Sequence, residues 1–220
     1  MRLRFRLSQG QTRIKNRIKM LLYNYGISIP KEHLTNSRWS GYFIHCLKSV
    51  KLSSSAGQFT LDNLLVQFEQ IREHLKNVLG ELRKESKQEQ ITPVINSLTS
   101  VPGVAFITAM SLFTEIIDIR RFKKFDELCS FVGLVPSVYS TSETQYTRRI
   151  SFRHNKFLRP LLIEAAWTAV RKDPALTLRF NELIKQMSKQ KAIIRIAKKL
   201  LRRIRHVWIN QDRYVKALVA

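Results

Sequence analysis

At 220 residues, 44% apolar and 25% charged, the chain is long enough for one sizeable core or two small ones and too apolar for a disordered tail. Its 39 Lys and Arg against 16 Asp and Glu give a formal charge of +23, which opposes compaction and attracts a polyanion, nucleic acid before anionic membrane. No apolar run approaches the roughly 20 residues that cross a bilayer, and the basic start Met1–Arg6 lacks the apolar stretch of a secretory signal. Cys46 and Cys129 have no ligand spacing, which argues against a metal site and for a reducing cytoplasm.

The charge is unevenly placed. Residues 1–30 hold seven basic side chains and no acid, and residues 148–220 hold 19 basic against four acidic. Between them, residues 91–147 hold four basic against five acidic. Two basic arms thus flank a nearly neutral centre.

In chain order, residues 2–25 read as a helix. Ile14, Ile18, Leu21 and Tyr25 recur at helical spacing, while Arg13, Lys15, Arg17 and Lys19 are placed on the other faces as candidate phosphate contacts. Gly26 and Pro30 end it. A shorter helical or mixed segment over 33–50, around Trp39, leads to a Ser-rich loop at 53–57. Leu61, Leu64, Phe68, Ile71, Leu75, Val78 and Leu82 then alternate spacings of three and four, which predicts a helix over 58–88 with a heptad seam. The seam serves either an antiparallel hairpin with the first helix or a coiled coil between chains through residues 59–82. The polar run at 84–90 divides an N-terminal region, 1–90, from a C-terminal domain, 91–220.

The second half reads as helix, tight turn and helix over about 94–116, a hairpin-like stretch, and three further helices. Asn155 is placed to cap the first of these, which closes near Asp173-Pro174; the others cover 174–187 and 190–209. The expected class is mainly α, a long helical or coiled-coil segment followed by a helix-hairpin-helix-containing domain with one small β hairpin.

Three stretches carry chemistry. In "LTSVPGVAFITA", residues 98–109, the Pro102-Gly103-Val104 turn suits a helix-hairpin-helix, whose helix-opening amides hold a DNA phosphate without reading sequence. The same turn also serves as a purely structural connection, and Ala105 stands where a second glycine is usual. In "KQKAIIRIAKKLLRRIRHVW", an apolar stripe runs beside Arg195, Lys198, Lys199, Arg202 and Arg203, a face suited to tracking phosphates. In "GLVPSVYSTSETQYTRRIS", Ser140, Thr141 and Ser142 supply hydroxyls close to Arg148, Arg149, Arg153 and Lys156, the ingredients of attack on phosphorus. By composition alone, such a stretch is far more often a polar loop than a site.

The order of these segments is more specific than any one of them. "VPG", "FTEIIDIRRF", "LCSFVGLVPS", "YSTSE", "RISFRHNKFLRPLLIEAAW" and "DPAL" together resemble the C-terminal domain of the DEDD-type insertion-sequence transposases. This is the one-ten family, which includes the Piv/MooV-like recombinases, and "QTRIKNRIKMLLYNYGI" resembles the helix that follows its RuvC-like nuclease domain. The resemblance implies DNA as the partner, a guide RNA as a second one, and a covalent serine–DNA link during transposition. The nucleophile would be one of Ser140, Thr141 and Ser142, which stand where the family reads Ser-Ser-Gly. Magnesium is implied only for the acids of the RuvC-like domain, so no cofactor is expected in this chain. The chain begins where that domain should end, which implies a C-terminal portion inactive alone, cytoplasmic and on the nucleoid when bound to DNA. The alternative is a helix-hairpin-helix scaffold unrelated to transposition.

Overall fold

The computed structural model describes residues 1–29, 39–140, 145–150 and 154–215, with the backbone alone for 136–140 and 145–150. The chain is mainly α and divides into two compact units, Met1–Arg83 and Lys84–Ala220.

The N-terminal unit holds α1 (Arg2–Asn24), α2 (Gly41–Ser49) and most of α3 (Ser55–Glu85). Ser40 caps α2, its hydroxyl accepting from the Phe43 amide at 3.2 Å. The predicted stripes meet in one core, Ile14, Ile18 and Leu22 of α1 against Phe43, Ile44 and Leu47 of α2 and Leu61, Leu64, Leu65 and Phe68 of α3. Trp39 joins it edge-on to Phe43 and tilted on Phe68. The first half of the heptad seam is therefore filled within the chain itself. Its second half, Leu75, Val78 and Leu82, is only half-buried.

The C-terminal unit contains α4 (Thr92–Ser100), α5 (Phe106–Ile116), a 3-10 turn (Ile119–Arg121) and α6 (Phe125–Val132), then β1 (Pro136–Ser140) and β2 (Gln145–Ile150), then α7 (Leu158–Lys172), α8 (Pro174–Ile184) and α9 (Lys189–Asn210). The two strands pair antiparallel, Val138 opposite Thr147 and Ser140 opposite Gln145, with a register shift between Pro136 and Val138. At the centre lies α9, packed on α4, α6, α7, α8 and the 3-10 turn. Its stripe of Ile193, Ile196, Ala197, Leu200, Leu201, Ile204, Val207 and Trp208 is buried, an apolar face wide enough for several neighbours at once.

Small residues allow the closest of these packings. Ala165, Ala166 and Ala169 of α7 are buried, and the turn joining α4 to α5 lies on them. Gly103 there has φ +87°, and a Cβ on it would sit 2.2 Å from the Ala165 carbonyl oxygen. Nothing larger than glycine fits.

Candidate nucleic-acid interface

A solvated face of α9 carries the charge. Arg195, Lys199 and Arg202 are exposed and Lys198 half-exposed. With Phe125 of α6, Arg179 and Leu183 of α8, and Ile196, they line an open groove of 370 Å³. Phe125, Leu183 and Ile196 give it an apolar floor below cationic walls. The Arg202 guanidinium lies over the Phe125 ring at 4.7 Å and the Lys198 amine at 5.9 Å. Two acids stand nearby, Asp126 bonded to Lys198 at 3.2 Å and Glu182 bonded to Arg179 at 2.6 Å. Both pairs are solvent-exposed, and such pairs stabilise little. Among the described residues, Arg195, Lys199 and Arg202 have no carboxylate partner.

Several residues expected at the nucleic-acid face are turned inward. Lys15 is buried in the N-terminal core, its amine 5.6 Å from the Trp39 ring centre and 5.7 Å from that of Phe68. Burial, and then the fields of Lys19 and Arg72, hold its pKa below the usual lysine value. It faces the aromatics because position 15 adjoins Ile14 and Ile18 on the buried side of α1, leaving Arg13 and Arg17 on the exposed side. Arg203 is bonded to Asp173 at 2.8 Å and to the Tyr214 hydroxyl at 2.5 Å. Arg205, on the same helix, donates to the carbonyls of Phe122 and Lys123. The side chains of the 102–104 turn are also turned inward. Pro102 and Val104 are buried and Gly103 faces the α7 backbone, so these side chains serve helix packing. Ala105, just before α5, is the exposed residue of that turn.

The hydroxyl-rich stretch stands on a fixed base. Where α6 ends, Gly133 adopts φ +86° and both its amide and that of Leu134 donate to the Cys129 carbonyl at 2.8 Å. A Cβ on Gly133 would meet the His154 Cβ at 2.2 Å, so the chain leaving for β1 touches the chain returning from β2. The Asn155 amide donates to the Phe131 carbonyl at 3.2 Å. Its side-chain oxygen accepts from the Phe157 and Leu158 amides, capping α7, and its side-chain nitrogen donates to Glu115 at 2.9 Å. One side chain thus fastens α5 to α7 beside the end of α6. Ser140 is the last residue of β1, and Arg148 and Arg149 lie in β2. Thr141, Ser142 and Arg153 are outside the described residues, and Lys156 is exposed just before α7. Cys129 beneath this base is no rival nucleophile, because burial pushes its thiol up to about 11.

Replacing Asn155 with alanine removes a helix cap and a hydrogen bond to a carboxylate. It should destabilise the unit by about 2–3 kcal/mol, read as a lower urea midpoint. A shift below the usual scatter would show that Glu115 and the α7 amides do as well with water.

Residues 95–181, which hold both the hairpin base and the α7 packing face, match the family model described as Transposase IS116/IS110/IS902 family. Over these residues the chain is similar to the transposases of that family. It is 28% identical over 208 residues to the transposase for insertion sequence element IS1111A of Coxiella burnetii, covering 90% of this chain and 54% of that one. It is 28% identical over 174 residues to the transposase for IS1328 of Yersinia enterocolitica, covering 75% and 47%. A shorter match, 37% over 78 residues, is to the putative transposase y4qE of Sinorhizobium fredii, covering 36% of this chain and 20% of that one. The chain spans about half the length of the first two of these transposases.

Sequence reading placed the α9 cations beside one apolar stripe but missed Phe125, Arg179 and Leu183, which complete the groove. Phe125 is 70 positions from Arg195, and periodicity along one helix carries no sign of a wall supplied by another. Glu115 was legible only as a letter of "FTEIIDIRRF". Its bond to Asn155 spans 40 residues.

Proposed function

We propose that this chain is a DNA-binding part of an insertion-sequence transposase. The observation that carries the reading is a stretch similar to that family, residues 95–181, packed on α9, a helix whose solvated face sets four cations beside an open groove. Phosphates neutralised along that face release counterions, so duplex affinity should fall steeply with salt. Four contacts predict a drop of roughly 100-fold over a fourfold rise in salt. Replacing Arg195 and Lys199 together by alanine should reduce the log–log slope by about 2. Affinity indifferent to salt would sink the reading.

The hydroxyls Ser140, Thr141 and Ser142 fit a nucleophile of strand transfer. One oxygen attacks a backbone phosphorus, a serine or threonine phosphoester forms, and the bond from phosphorus to the leaving sugar oxygen breaks. The nucleophile gives up its proton to a base, and the leaving oxygen gains one. We assign metal-dependent chemistry to an acidic nuclease domain of the kind the resemblance implies, supplied in the same or another chain. With such a domain and element DNA present, a denaturation-resistant protein–DNA adduct is expected. It should vanish when all three hydroxyl residues are replaced by alanine; an adduct that survives places the nucleophile elsewhere.

A guide RNA is a second polyanion suited to the same charge. The half-buried Leu75, Val78 and Leu82 suit a contact with a second copy of the chain. No described helix is long and apolar enough to cross a membrane. The unrelated-scaffold alternative is not favoured, since the relatives named above are transposases.

A further inference from the structure

We propose that the groove between α9, α8 and Phe125 takes a single-stranded segment of nucleic acid, with one base stacked on the Phe125–Arg202 pair. The proposal rests on the DNA-binding reading above and specifies the form of polyanion that this site holds.

Three observations favour a single strand over a duplex. The floor is apolar, made by Phe125, Leu183 and Ile196. A duplex presents its backbone and base edges but no free base face to such a groove, and it would leave that floor unused. An unpaired strand can lower a base into it. Next, the cations line one wall in sequence. Arg195, Lys198, Lys199 and Arg202 span two turns of α9, about 10 Å, a track for a short run of phosphates from one strand. Finally, Arg202 already lies over Phe125 at 4.7 Å. A guanidinium flanked by an aromatic ring offers a flat cationic surface, on which any base can stack without regard to sequence.

Charge complementarity agrees. Five cations line the groove, and the two acids beside it are held in exposed pairs with Lys198 and Arg179. A phosphate entering the groove displaces those weak pairs at little cost. No sequence preference is expected, since nothing on the floor presents a hydrogen-bond pattern to a base edge.

The test uses the full chain and labelled oligothymidine and oligouridine of about ten nucleotides, with a hairpin duplex of equal phosphate content as the comparison. Phe125→Leu keeps the floor apolar and removes the ring. Arg202→Lys keeps the charge and removes the flat surface, at an exposed position where the fold is indifferent. For each variant the ratio of single-strand to duplex affinity should fall by ~10-fold. If Phe125→Leu fails to fold, Arg202→Lys alone decides. An unchanged ratio, or an equal loss for strand and duplex, overturns the stacking site while leaving the salt-dependent duplex binding intact. A deoxyribose and a ribose strand affected alike support stacking on the base. An effect confined to one sugar overturns it, because recognition would then lie in the 2′ position.

Discussion

Replacing Arg203 by alanine is expected to lower the unfolding free energy of the chain by about 3–5 kcal/mol. Asp173 has a fully buried carboxylate, and Arg203 is its charged partner at 2.8 Å. The same carboxylate caps α8 by accepting from the Leu176 amide and accepts from the Tyr214 hydroxyl at 2.5 Å. Tyr214 is tied a second time, its amide donating to Ser100 of α4. One buried charge therefore joins the start of α8, the middle of α9 and the segment after α9. Truncating Arg203 leaves that charge buried with two neutral donors, which is the costly case. Removing both charges with apolar side chains, Asp173→Leu with Arg203→Met, should recover a large part of the loss, although the α8 cap is gone. Urea unfolding followed by tryptophan fluorescence reads both. A loss under about 1 kcal/mol for Arg203→Ala would mean that water reaches Asp173.

The same node sets a pH limit. Burial first, and then the bond to Asp173, raise the Tyr214 pKa to about 12 against an ordinary 10. The folded state holds this proton more tightly than the unfolded state, so the contribution is complete below about pH 10 and is lost as pH rises through 12. Tyr214→Phe should flatten that alkaline decline. An unaltered decline would assign it to other groups.

Gly103→Ala is the second large effect, about 2–5 kcal/mol, combining a left-handed backbone penalty with overpacking against α7. The added methyl has a backbone oxygen 2.2 Å away and a backbone nitrogen 3.0 Å away, neither of which can turn aside as a side chain would. The turn must therefore lift from α7, and buried Val101 and Val104 would lift with it. A fall in Tm of several degrees together with weaker DNA binding fits this account. Weaker binding at unchanged Tm would instead revive the phosphate-clamp role for the turn.

Much of the fold was legible because its helices have one dry face. The stripes at Ile14–Ile18, Leu61–Phe68 and Ile193–Trp208 are also the buried stripes of α1, α3 and α9. The Asn155 cap was equally readable, since an Asn ahead of an apolar run accepts from amides only a few residues on. What periodicity could not show is which cations are exposed. Arg203 and Arg202 are neighbours in sequence, yet one meets a carboxylate 30 residues back and the other a ring 77 residues back. Lys15 shows the same limit: a long aliphatic stem lets a charged residue sit among aromatics whose sequence positions give no warning. For the hydroxyl stretch, the base at Gly133 and Asn155 arises from contacts between segments about 20 to 40 residues apart.

That base also bears on how this part of the chain can vary. Gly133, His154 and Asn155 close the neck of the 136–150 excursion through contacts made among themselves and with Phe131 and Glu115. With the neck closed in this way, doubling the enclosed length costs only about 0.6 kcal/mol in closure entropy. The excursion is the part of this domain where new letters can be tried at low risk to the rest, whereas one methyl at position 133 would reach the whole assembly.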